Sequence, residues 1–179
     1  MEASVNRSYV SVGIALGLML LAVSLRVLPH PANFAPVAAV AIFGGALLPR
    51  RFAVAVPLAA MMASDLIIGL HDLIPITWGC YALIALASSV WMKKPAFGRG
   101  LGLALGGSVL FFVVTNLGVW WTSGMYARTA QGLERCFTLA VPFFRATLLS
   151  DLLYTGALFG LYALANQASS RVFGTEQTN

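Results

Sequence analysis

Six apolar runs, separated by short stretches rich in proline and basic residues, limit what this chain can become. They cover about residues 8–28, 35–48, 52–70, 76–91, 101–122 and 139–165. A helix crosses the hydrocarbon core of a bilayer with ~20 apolar residues. It suits that setting because it bonds all its own peptide groups. Composition agrees, with 59% hydrophobic and 9% charged residues, against about 25% charged in soluble domains. Mean hydropathy is +0.85. The expected fold is an all-α integral membrane protein, a single domain over 1–179 with six transmembrane helices. Short loops leave no room for a soluble catalytic or nucleotide-binding module.

The first run is too long for a signal-peptide core and lacks a small-residue cleavage site after it, so it is read as retained. It carries Gly13-x-x-x-Gly17, a spacing that lets helix backbones approach closely. Packing within the bundle and docking of a partner helix both fit that spacing. The sequence pI near 9.7 reflects topology and not nucleic acid, because the basic residues fall in short loops. Arg7, Arg50, Arg51, Lys93, Lys94, Arg99 and Arg171 lie on one side, seven against Arg26, Arg128 and Arg135 on the other. The positive-inside rule then puts both termini in the cytoplasm. The loops at 29–34, 71–75 and 123–137 are expected together on the outer face.

Three charged residues fall well inside the apolar runs, away from their ends: Asp65, Arg145 and Asp151. Each costs about 2.5–3.5 kcal/mol at a helix centre, so each should face the bundle interior with a partner. A structural ion pair, such as Arg145 with Asp65, is one reading; a substrate or proton site is the other. Aromatic residues gather toward the outer side, as an interfacial belt would. Yet Phe112, Asn116 and Trp120 share one face of the fifth run, and Thr147, Asp151 and Tyr154 one face of the sixth. Polar groups beneath an aromatic rim suit a cavity for a bulky ligand with amide edges. The candidate ligand-binding set is Trp78, Tyr81, Asn116, Trp120, Tyr126, Asp65, Asp151, Tyr154, His71 and Asn33.

The stretch Leu70–Ala87, LHDLIPITWGCYALIALA, holds Cys80, one of two cysteines. A buried free cysteine ordinarily serves as a small hydrophobe. Here it is expected near a helix start, where the macrodipole favours the thiolate. One soft thiolate suits an axial position on cobalt, copper or haem iron. It cannot build a zinc site alone, so a metal here would arrive inside a cofactor with its own equatorial ligands. His30 and His71 are rival ligands on the same face, and Cys136 is expected in the last loop. The chain has no GxSxG, HExxH, CxxC or P-loop, so it is not expected to be an enzyme.

The blocks LPHPANFAPVAAVAIFGGALLPRR, MMASDLIIGLHD, TNLGVWW and FFRATLLSDLLYTGALFG, together with the WGCY tetrad, resemble the BtuM family. These are small vitamin B12 transporters related to the S-components of energy-coupling-factor transporters. The resemblance covers about residues 26–165. It implies a six-helix S-component bundle in the bacterial inner membrane, multi-pass, with cobalamin in an outward-facing pocket. It implies that Cys80 ligates the cobalt from the lower face, with the vitamin base-off. Thiolate ligation would also labilise an upper cobalt ligand such as cyanide. S-components dock through small residues, often Ala-x-x-x-Ala, whose nearest equivalent here is the pair Gly13 and Gly17. The implied partner is an energy-coupling-factor energising module, or none. Two other classes stay open: a membrane-embedded haem or thiol redox protein, and a structural membrane scaffold.

Overall fold

Proline and glycine punctuate the apolar runs into six helices. A computed structural model describes residues 2–174, with side chains described for residues 11–167. The elements are α1 (Glu2–Val27), α2 (Val37–Leu47), α3 (Arg50–Ile68), α4 (Ile74–Trp91), α5 (Phe97–Thr122) and α6 (Ala130–Gly174). No strand occurs among the described residues. Four segments are long and apolar enough to cross a membrane: Arg50–Ile68, Ile74–Trp91, Phe97–Thr122 and Ala130–Gln167. Ser11–Val27 and Val37–Leu47 are apolar but shorter. Arg7, Arg171 and the chain ends, which the topology argument used, lie outside the described side chains.

Helix α2 is the axis of the bundle. At 11 residues it is only about 16 Å long, and Val37 through Gly45 are all buried. It touches every other helix, while α1, α3, α4, α5 and α6 follow one another around it as an arc. Among the described residues the arc stays open between α1 and α6. Phe43 of α2 packs edge-on against Phe159 and Tyr162 of α6, at ring-centroid distances of 5.1 and 5.9 Å. The apolar core runs along this axis, through Ala15, Leu18 and Ala22 of α1 and Ile84 and Ala85 of α4.

Helices α2 and α4 come closest at Gly45. A Cβ added there would lie 2.6 Å from Ser88 Cβ and 2.7 Å from the Ala85 carbonyl oxygen. Beside it the Ser88 hydroxyl donates to the Ile42 carbonyl at 2.6 Å. That bond joins two helices in a dry seam.

Several expected boundaries shift: α1 starts at Glu2 and not near residue 8, and α5 at Phe97 and not near residue 101. α4 begins at Ile74, with Pro75 already in its first turn, where a missing N–H costs nothing. α6 begins at Ala130 and not near residue 139. Thr129 is the cause: its Oγ1 accepts the Gly132 N–H at 3.2 Å, as an N-cap does. The expected loop Ser123–Cys136 therefore shrinks to residues 123–129. Cys136 lies in the helix and is buried, its thiol 3.5 Å from the Asn116 carbonyl.

The seam at Gly45 makes a testable contrast. Gly45→Ala is expected to cost about 1–3 kcal/mol by overpacking. Gly44→Ala places its Cβ 3.7 Å from Leu18 and Leu48, an ordinary contact, and should leave stability nearly unchanged. Thermal unfolding of both variants in detergent measures the difference.

Candidate functional site

At one end of the bundle the helices splay around a cavity of about 630 Å³. Ligand pockets usually measure about 300–1,000 Å³. The wall takes the end of α1 (Arg26), the start of α2 (Val37), Met61 and Ile68 of α3, and Thr77 and Tyr81 of α4. Helices α5 and α6 add Phe111, Phe112, Thr115, Asn116, Phe143, Phe144, Thr147 and Asp151. Exposed His30, Asn33 and His71 stand at the mouth. Chain direction explains the convergence: α1, α3 and α5 end here, and α2, α4 and α6 begin here. Asn33 adopts φ +60°, a conformation that asparagine tolerates, and it turns the loop between Pro29 and Pro36 back over the cavity.

A charged network holds the α1 side of this end together. Asp65, 1% exposed, faces Arg26 with Oδ1 at 2.6 Å from Nη2. Its Oδ2 accepts the Trp78 indole N–H at 2.8 Å. Arg26 also donates to the Ser64 hydroxyl and to the Met61 carbonyl. One carboxylate thus ties α1, α3 and α4 together. The pairing Arg145 with Asp65 does not form, because Arg145 lies exposed on α6 while Arg26 takes the carboxylate.

Cys80 is buried to 1% and is not part of the cavity wall. Helix periodicity puts it about 60° round α4 from Thr77, which lines the cavity. Its side of α4 carries Ile76 and Ile84, which meet Gly118 and Gly107 of α5. The thiol therefore lies in the α4–α5 seam, beside the wall formed by Thr77 and Tyr81. It is the seventh residue of α4, beyond the first turn within which the macrodipole favours a thiolate. Among the described residues, no group of three or more His, Cys, Asp or Glu is placed to hold a metal ion.

A family model matches residues 6–173, a span that runs through all six helices. The chain belongs to DUF6580, a family of unknown function. No curated protein and no solved structure matches it. The cavity of this DUF6580 chain lies wholly within the family region.

The structure of the DUF6580 chain sorts the expected residues into three groups. Tyr81, Asn116, Asp151, His71 and Asn33 line the cavity. Trp78 and Asp65 stand behind it in the network. Trp120 turns away to donate its indole N–H to the Ala127 carbonyl at 2.9 Å. Tyr154 packs on Phe34 at a ring-centroid distance of 5.8 Å, and Tyr126 is half-buried in the α5–α6 loop. Gly13 and Gly17 lie on the outward face of α1, where an added Cβ meets nothing within 4 Å. Sequence reasoning missed Arg26 as a wall residue, because it reads there as a loop charge at the end of a run. It also missed Thr77, Phe111 and Thr115. Thr77 and Phe111 stand four residues before Tyr81 and before Thr115, a helical spacing that marks a shared face.

Two outcomes follow for the DUF6580 chain. Asp65→Ala strips Arg26 and Trp78 of their shared acceptor and is expected to cost about 3–5 kcal/mol. The unfolding midpoint in detergent reads this, and an unchanged midpoint would remove the network from the account. Cys80 and Cys136, 1% and 2% exposed, should resist an aqueous maleimide in the folded protein and react once it is denatured.

Proposed function

We propose that this protein binds cobalamin, or a cobalamin precursor, in the cavity and carries it across the bacterial inner membrane. The observation that carries the reading is a half-open cavity of about 630 Å³ with a free cysteine beside its wall. Aromatic faces from Phe111, Phe112, Phe143 and Phe144 suit the flat corrin ring. Arg26, Asn116, Thr115 and Thr147 offer polar partners for its peripheral amides. The resemblance to the BtuM family supports the same ligand. In this reading all six helices sit in the membrane, both termini are cytoplasmic, and the mouth at His30, Asn33 and His71 faces outward.

Cobalt is part of the transported substrate here and needs only one axial donor from the protein. Cys80 takes that role, with the vitamin base-off. Because the thiol lies in the α4–α5 seam, ligation requires it to turn past Thr77 and Tyr81 into the cavity. The open face of α1 at Gly13 and Gly17 is assigned to an energising partner, where one is used. Thiolate ligation would weaken an upper cyanide ligand as side chemistry.

The test is spectroscopic. Purified protein incubated with cobalamin should retain the corrinoid, with an axial-ligand absorption shift that Cys80→Ala abolishes. No bound corrinoid under saturating conditions overturns the proposal. Haem bands in the purified protein would favour a redox protein instead.

A further inference from the structure

The cavity wall also contains a carboxyl with no charge partner. Asp151 of α6 is 3% exposed and lines the cavity. Its partner is Ser108 of α5, whose Oγ lies 2.6 Å from Asp151 Oδ2. The same Oγ lies 2.9 Å from the Ala104 carbonyl oxygen on its own helix. A serine hydroxyl has one hydrogen to donate. The Ala104 carbonyl only accepts, so it takes the serine hydrogen if that bond is made. The contact between Ser108 and Asp151 then needs a second hydrogen, which the carboxyl alone can supply.

The charges around Asp151 lead to the same conclusion. Among the described residues the ion pair is Arg26 with Asp65, so the cavity's arginine is committed elsewhere. Arg145 is on α6 but lies exposed. Helix α2, VAAVAIFGGAL, packs against α6 and has no titratable side chain. Helix α5 meets Asp151 through Ser108, and its charged residue, Arg99, stands nine residues earlier. Tyr81 of α4 shares the cavity wall, and His30 and His71 stand at its mouth. An ionised carboxylate with one hydroxyl partner and no cation is costly in a water-poor interior.

We propose that Asp151 is a proton-binding site in the cavity wall, held as a neutral carboxylic acid, and that it presents an acceptor to an uncharged carboxamide edge of the ligand. Its Oδ2–H donates to Ser108 Oγ, and Ser108 donates to the Ala104 carbonyl. Oδ1 is left to accept an amide N–H. No covalent bond changes when ligand binds. Where the carboxyl is ionised beforehand, binding draws one proton from solution onto Oδ2, because the ligand displaces the water that solvated the charge. The site therefore selects an amide edge over an ammonium group. The identity of the ligand rests on the cobalamin reading; the proton does not.

Two measurements test this separately. The infrared spectrum of the ligand-free protein at neutral pH should contain the C=O stretch of a protonated carboxylic acid, shifted in D2O and lost in Asp151→Asn. Absence of that band overturns the proposal. Cobalamin affinity is then followed against pH. The ratio of wild-type to Asp151→Asn affinity, in which the proton that Cys80 releases on ligating cobalt cancels, should fall at high pH by up to tenfold per unit, the slope of one linked proton. Asp151→Asn keeps an acceptor and a donor at the same place but takes up no proton there, so its own pH dependence retains the proton released by Cys80 and nothing from position 151. Asp151→Ala should bind about tenfold more weakly at low pH, the loss of one hydrogen bond. A ratio that does not change with pH overturns the proposal. If no cobalamin binds to any form, the functional reading falls, and the infrared band alone decides the proton site.

Discussion

A carboxylate buried to 1% has to be neutralised where it sits, and Asp65 is neutralised by Arg26 of α1 and hydrogen-bonded by Trp78 of α4. That requirement organises the cavity end of the bundle. Arg26 must reach back from the last turn of α1, which draws the end of that helix against α3. Trp78 must turn its indole toward α3, and this sets the rotation of the first turns of α4. With that rotation fixed, Thr77 and Tyr81 face the cavity and Cys80 faces α5. A lone buried carboxylate is costly, so the three helices hold their register together or not at all.

The long helices were legible because apolar length and proline or glycine breaks are local properties. α3 and α5 lie close to where their apolar runs put them. The start of α6 is not legible, because the polar stretch from Ala130 to Arg135 looks like a loop until Thr129 is recognised as its cap. Asp65 was legible as a residue needing a partner, but its partner was not. Which cation meets it depends on how α1 and α3 pack, and no spacing within one helix encodes that. The same limit applied to the cavity. Asn116 and Asp151 line the cavity, while Trp120 and Tyr154, on those same helical faces, find partners nearer the loop and at Phe34. A face argument finds the side of a helix but not the depth at which a cavity stops.

The two acidic residues inside the bundle show how environment separates like groups. Asp65 has an arginine and an indole and serves as a fixed joint. Asp151 has a hydroxyl and an open cavity. The first restrains helices, whereas the second is free to respond to whatever enters.

Helix α2 has a consequence for how its residues are constrained. Every side chain from Val37 to Gly45 is enclosed by other helices, so this segment is dissolved in protein and not in lipid. A greasier side chain gains nothing there, because no water or lipid contact is left to improve. Pro36, buried just before it, brings no N–H group into the dry interior. The segment is governed by volume: alanine and glycine set how near its neighbours can stand, and through them the width of the cavity that begins at Val37.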